Sequence, residues 1–114
     1  MFKVYLFGGK EPDTRLITNR SYEIVWRKDS DQIAMVPINR MFKARSKHTV
    51  VGVDKFECIL IIGGSDESQT LNICELYDPA KDSYSSFPSL NIARENASSC
   101  VFTAVKETQG EGGV

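Results

Sequence analysis

Two short apolar runs in this chain each stop at a pair of glycines. No other feature limits the fold as much. The first run is Val4-Tyr5-Leu6-Phe7-Gly8-Gly9, and the second is Cys58-Ile59-Leu60-Ile61-Ile62-Gly63-Gly64, with its glycines 55 residues further on. Both have the length and the β-branched or aromatic content of strands. Glycines at a strand end point to positive φ, or to a backbone approach that a Cβ would block.

The same strand signals recur along the chain. They predict strands at 4–7, 21–26, 32–36, 48–53, 57–62, 71–77, 83–87 and 97–105. The spacing is roughly ten residues, which argues for an all-β fold. Pro37 and Pro88 are expected to end their strands. Asp78-Pro79-Ala80-Lys81-Asp82 is a turn: the Asp side chain accepts from nearby backbone N–H groups, and Pro presets φ for the next position. Residues 38–47 carry Met41, Phe42 and a basic run but sustain no helical period and show no cap, so they are expected to be loop. Residues 106–114 are polar and glycine-rich, as in a flexible tail.

The halves repeat. Gly8-Gly9 matches Gly63-Gly64 at an offset of 55, Glu23 matches Glu75 at 52, Pro37 matches Pro88 at 51, and Arg45 matches Arg94 at 49. The drift falls in loops. A period near 50 with four strands per unit is the signature of propeller blades.

These residues resemble the kelch repeat. In the second unit the resemblance rests on Gly63 and Gly64, Leu71-Asn72, Glu75, Tyr77-Asp78-Pro79, the aromatic Tyr84, Pro88 and Arg94. In the first unit Val25 stands where the family usually has tyrosine, and Tyr84 replaces the usual tryptophan of the second. The resemblance covers about residues 4–105. It implies four-stranded antiparallel blades, each running from an innermost strand A to an outermost strand D, in a partial propeller. The order along the chain is B-C-D (4–47), then A-B-C-D (48–88), then a lone A (97–105). The strand content also agrees: Ile59-Leu60-Ile61-Ile62 is apolar on both faces, as an inner strand packed between neighbours should be, and Ser83-Tyr84-Ser85-Ser86-Phe87 is more polar, as an outer strand should be.

Closed propellers need about four to eight blades, so one copy cannot close. Two resolutions stand open. The chain is a fragment of a larger propeller, the favoured alternative, or copies self-associate, with the terminal A strand of one completing the B-C-D sheet of the next.

Charge and composition narrow the function. Fourteen basic against 15 acidic residues give a net charge of −1 and no electrostatic case for nucleic acid or an anionic membrane. The longest apolar run is far too short to span a bilayer. Gly8 interrupts any hydrophobic leader, so a cytoplasmic setting is expected. Cys58, Cys74 and Cys100 form no C-x-x-C pair and are expected as reduced thiols. There is one histidine, His48, no Ser/His/Asp spacing, no Walker loop and no dinucleotide fingerprint. Neither a metal site nor a cofactor is expected, and the turn carboxylates are expected to be solvated. The expected function is therefore non-enzymatic binding of a protein partner. An enzyme of the same architecture, such as a copper oxidase or sugar isomerase relative, is the alternative. The basic run Arg40, Lys43, Arg45, Lys47 offers either a solvated loop or a surface for an acidic peptide. The resemblance further implies that partners dock on the B–C and D–A loops, here at Lys10, Arg45, Ser46, Ser65, Asp66, Arg94 and Glu95.

Overall fold

A computed structural model describes residues 3–99. These residues form β1 (Val4–Phe7), β2 (Ser21–Arg27), β3 (Gln32–Ile38), β4 (Thr49–Val53), β5 (Cys58–Ile62), β6 (Cys74–Asp78) and β7 (Ser83–Phe87). A single 3₁₀ turn, Asp54–Phe56, links β4 to β5 and ends at Glu57 in the left-handed region (φ 53°). The strands make two antiparallel sheets, β1-β2-β3 and β4-β5-β6-β7. This is the expected B-C-D and A-B-C-D order. Of the expected strand at 97–105, residues 97–99 have irregular backbone, and the rest lies outside the described residues together with the tail at 106–114.

The ladders correct the alignment of the two units. Gly8 and Gly63 both follow a B strand whose last residue, Phe7 or Ile62, pairs with Ser21 or Cys74 respectively. Tyr22 therefore occupies the place of Glu75, and Glu23 does not. Matching Glu with Glu by identity slips the strand by one residue, and a one-residue slip exchanges the faces of a strand. Glu23 pairs with Tyr5 on the face turned toward the second sheet, while Tyr22 pairs with Leu6 on the opposite face. By the same ladder Ile24, rather than Val25, stands where Tyr77 does.

Pro37 also departs from expectation. It lies within β3, opposite Tyr22, instead of ending the strand. β3 is an edge strand, where a missing N–H removes no ladder bond. The β2–β3 hairpin carries two extra rungs, Trp26↔Ile33 and Arg27↔Gln32, that β6–β7 lacks. Two rungs add four residues and keep the faces in phase, which is why the offset falls from 53 at the C strands to 49 at the D strands.

The core lies between the sheets. Phe7, Met41, Ile61 and Tyr77 are buried, with Tyr5, Ile38, Ile59 and Tyr84 packed around them. Ring centroids of Phe7 and Tyr77 are 5.4 Å apart and edge-on, and those of Tyr77 and Tyr84 are 4.8 Å apart. Such pairs add about 0.5–1.5 kcal/mol beyond burial. The outer face of the first sheet is uncovered: Val4, Leu6, Trp26, Ile33 and Met35 are all exposed there. Among the described residues no helix is long and apolar enough to cross a membrane.

Candidate interaction surface

Two loops, 39–47 after β3 and 88–96 after β7, hold this end of the molecule by the same hydrogen bonds. The Met41 N–H donates to the Asn19 carbonyl, as Leu90 does to Asn72. The Asn19 side-chain amide donates back to the Met41 carbonyl, as Asn72 does to Leu90. The Arg45 N–H reaches the Thr18 carbonyl, and the Arg45 carbonyl accepts from Gly9; Arg94 does the same with Leu71 and Gly64. The repeat is thus structural down to individual bonds.

The glycines are required by these approaches. A Cβ on Gly8 (φ +63°) would lie 2.6 Å from the Arg45 carbonyl oxygen, and one on Gly63 (φ +61°) would lie 2.5 Å from that of Arg94. Both distances are below any contact a real Cβ makes, and both obstacles are backbone.

Beyond the shared bonds the loops differ. The Arg45 side chain enters the second sheet and is fully buried. Its guanidinium donates to the carbonyls of Gly63 (2.8 Å) and Ile73 (2.7 Å) and to Glu75 Oε2 (2.6 Å). Glu75 also accepts the Phe42 N–H at 2.7 Å and the Lys43 N–H at 3.1 Å. One carboxylate therefore collects three donors from the preceding loop. A buried carboxylate is tolerated only when paired and bonded in this way. The Arg45 Nε finds no acceptor.

The expected docking residues separate accordingly. Arg45 and Ser65 are buried and present no side chain to a partner, which corrects their place in the expected surface. Ser46 and Ser65 form a two-way backbone bridge (2.9 and 2.8 Å) that stitches the first loop to the second sheet. Asp66 bonds the backbone N–H groups of Ser68 and Gln69 and pairs with Lys43 at 2.9 Å, and those contacts hold its carboxyl far below the usual range. Glu95 accepts from Thr70 at 2.7 Å and lies 3.6 Å from Lys47, so its carboxyl is also lowered. Lys10 and Arg94 remain exposed. Of the basic run, Arg45 is buried in the joint, Lys43 and Lys47 pair with Asp66 and Glu95 at the surface, and Arg40 is exposed.

The expected structural residues do meet. Gly8, Gly9, Gly63 and Gly64 all have positive φ. Asp78 accepts the Ala80 N–H across Pro79, Tyr77 donates to Asp82 at 2.9 Å, and Tyr84 donates to the Asn39 carbonyl at 2.7 Å. Burial and the nearby Asp82 carboxylate push the Tyr77 hydroxyl well up, and burial raises that of Tyr84 to about 12. Asn19, as the first-unit counterpart of Asn72, and Met41 were not singled out. The recurrence of Asn before each C strand was the available signal for the first.

His48 is half-buried beside Gly64, and its Nδ1 has no partner. Desolvation lowers its pKa. Cys58 and Cys74 are free thiols. Among the described residues no three of His, Cys, Asp and Glu lie together as metal ligands would.

A sequence profile of the Kelch motif matches residues 44–91. No protein of curated function matches the chain. Among solved structures, a fungal alcohol oxidase of the AA5 family, in complex with copper, is similar in fold with a TM-score of 0.65 and 17% identity. The match covers 81% of this chain but only 20% of that one, so the chain spans about a fifth of the enzyme's length.

Proposed function

We propose that this chain, a kelch-repeat protein by its motif and its blade fold, is a non-enzymatic protein–protein interaction module and a building block of a larger propeller. The observation that carries this proposal is the joint at Arg45. It is a device for locking one blade to the next, and its copy at Arg94 stands open among the described residues. Kelch-type blades work as a scaffold for loops, and Lys10 and Arg94 are the expected docking residues left exposed. The setting that suits free thiols is the cytoplasm, where they stay reduced.

The copper enzyme among the structural neighbours raises the alternative of an oxidase. The described residues do not fit copper: no three of His, Cys, Asp and Glu lie together, and the Nδ1 of His48 is buried without a partner.

Two measurements test the proposal. Copper titration with a peroxide-release assay on simple alcohols should give no saturable binding and no turnover. Affinity capture from extract should recover a set of proteins that is lost in a Lys10→Glu, Arg94→Glu variant of unchanged melting temperature. Turnover with copper, or a capture set identical for both chains, overturns it.

A further inference from the structure

Neighbouring strands run in opposite directions, so their connections fall at two ends of the sheets. Loops 8–20, 39–48, 63–73 and 88–96 share one end. The turns at 28–31, 54–57 and 79–82 share the other. The loop end carries eight Lys and Arg against five Asp and Glu, and the turn end carries three against five. The net charge of −1 for the whole chain is thus the sum of two ends of opposite sign.

Pairing sharpens the separation. Most acids of the loop end are spent on holding it together. Asp66 accepts from the Ser68 and Gln69 N–H groups and from Lys43, 2.9 Å away. Glu67 accepts the Ile17 N–H at 3.0 Å. Glu95 accepts from Thr70 at 2.7 Å and faces Lys47. With the Ser46–Ser65 bridge, these ties join all four loops into one surface. By contrast, Lys10, Arg15, Arg20, Arg40 and Arg94 are exposed and make no side-chain hydrogen bond or ion pair among the described residues. The acids left without a partner there are Glu11 and Asp13, both in the first loop.

We propose that this loop end docks an acidic peptide segment of a protein partner, whose carboxylates are taken by Lys10, Arg15, Arg40 and Arg94. This rests on the chain being an interaction module, and it names the chemistry of the partner. A face with surplus charge of one sign draws in the opposite sign and speeds encounter, and salt weakens the attraction.

Two observations favour a peptide over nucleic acid, the other polyanion. The first is that Asp66, Glu67 and Glu95 stand fixed among the basic groups of this surface. A phosphate backbone is a continuous line of charge and would meet them, whereas a peptide places its carboxylates singly. Three of the four basic groups named are arginines, whose planar fork matches a carboxylate with two parallel hydrogen bonds. The second is apolar surface from the same loops: Leu16, Phe42 and Ile92 are 59%, 68% and 66% exposed. Aromatic and aliphatic contacts rimmed by charge are the anatomy of a protein interface.

The experiment is fluorescence anisotropy of the full chain with a short labelled peptide of Asp, Glu and Leu. It is compared with the same peptide carrying Asn and Gln for Asp and Glu, and with a deoxythymidine strand of equal length. The acidic peptide should bind at least about tenfold tighter than its amide copy, and the preference should shrink as salt rises from about 50 mM to about 500 mM. Lys10→Glu with Arg94→Glu, shown to be folded by circular dichroism, should weaken binding at least about tenfold. Lys28→Glu, at the turn end, should change it less than about twofold. Equal binding of the two peptides overturns the proposal, as does tighter binding of the deoxythymidine strand or an equal loss from both variants. If the double variant unfolds, Arg15→Glu and Arg40→Glu, in separate loops, decide: each should weaken binding, and no loss from either overturns it. Capture from extract that depends on Lys10 and Arg94, without preference for the acidic peptide, would remove the acidic class and leave the interaction function standing. A preference for the acidic peptide, with a capture set unchanged by the loop variant, would do the reverse.

Discussion

Arg45 and Arg94 sit in loops with the same backbone bonds, yet one guanidinium is fully buried and the other exposed. The difference lies outside both loops. Arg45 has a following sheet that supplies two carbonyls and a carboxylate, and Arg94 has none among the described residues. A blade in this architecture is therefore finished by its neighbour: the loop is pre-formed, and the energy of the joint is realised only on docking. The largest expected effect follows from this. Glu75→Ala would strand a buried guanidinium and two backbone N–H groups. It should cost about 3–5 kcal/mol, whereas Arg94→Ala should stay within about 0.5 kcal/mol in the monomer. Urea midpoints at constant slope measure both. Equal losses would mean that the joint is not what separates the two loops.

The glycines sharpen the same contrast. A Cβ on Gly64 would lie 2.5 Å from the Ser46 carbonyl oxygen, whereas one on its counterpart Gly9 meets nothing within 4 Å. Both have positive φ, +95° and +99°. Gly9→Ala should therefore cost only the conformational part, about 1–2 kcal/mol. Gly64→Ala should cost more than that, because the obstacle is backbone from the preceding loop and cannot rotate away. A Gly9→Ala loss equal to that of Gly64→Ala would show that the crowding is incidental.

Much of this fold was legible, and the physics explains which parts. The strand ends at Gly8-Gly9 and Gly63-Gly64 were readable because at Gly8, Gly63 and Gly64 a positive φ next to another backbone leaves no residue but glycine. The outer strand Ser83–Phe87 was readable from its polarity. The pairing of Glu23 with Glu75 was misread, because identity at an offset says nothing about which face a strand presents; that is decided by the Phe7↔Ser21 and Ile62↔Cys74 rungs. Pro37 was misread because a proline disrupts a sheet only where its N–H would have been used. Arg45 was assigned to a docking surface because the kelch resemblance implies docking on the D–A loops, where a charge is ordinarily solvated. Its burial depends on Glu75, 30 residues away in the chain, and no local pattern announces that.

Hydroxyls give a smaller test. Tyr77 and Tyr84 bond Asp82 and the Asn39 carbonyl in the second sheet, while the first sheet has Ile24 and Met35 at those places and no such bonds. Tyr84→Phe leaves the ring packing intact and removes one bond, for about 0.5–1.5 kcal/mol. A neutral result by thermal melting would mean that water replaces the bond, and that the two sheets differ in packing alone.

The smallest effect concerns pH. His48 follows the Arg45 loop, and its counterpart after the Arg94 loop, at the same offset, is Ala97. Only the filled joint therefore carries a histidine. Desolvation lowers the His48 pKa; the Phe7 backbone and Glu75 oppose the shift, and Arg45 adds to it. The folded state thus binds a proton less readily than the unfolded chain, whose histidine titrates near 6.5. Above that value both states are neutral at this site and the site contributes no pH dependence. As pH falls below it the unfolded chain takes up the proton first, so stability drops until the folded pKa is passed. Carboxylates also titrate in acid, so the measurement is a difference: the urea midpoint of wild type should fall more between pH 7.5 and pH 5 than that of His48→Gln. Parallel curves would place His48 in water rather than against Gly64, and would remove pH from what distinguishes the closed joint from the open one.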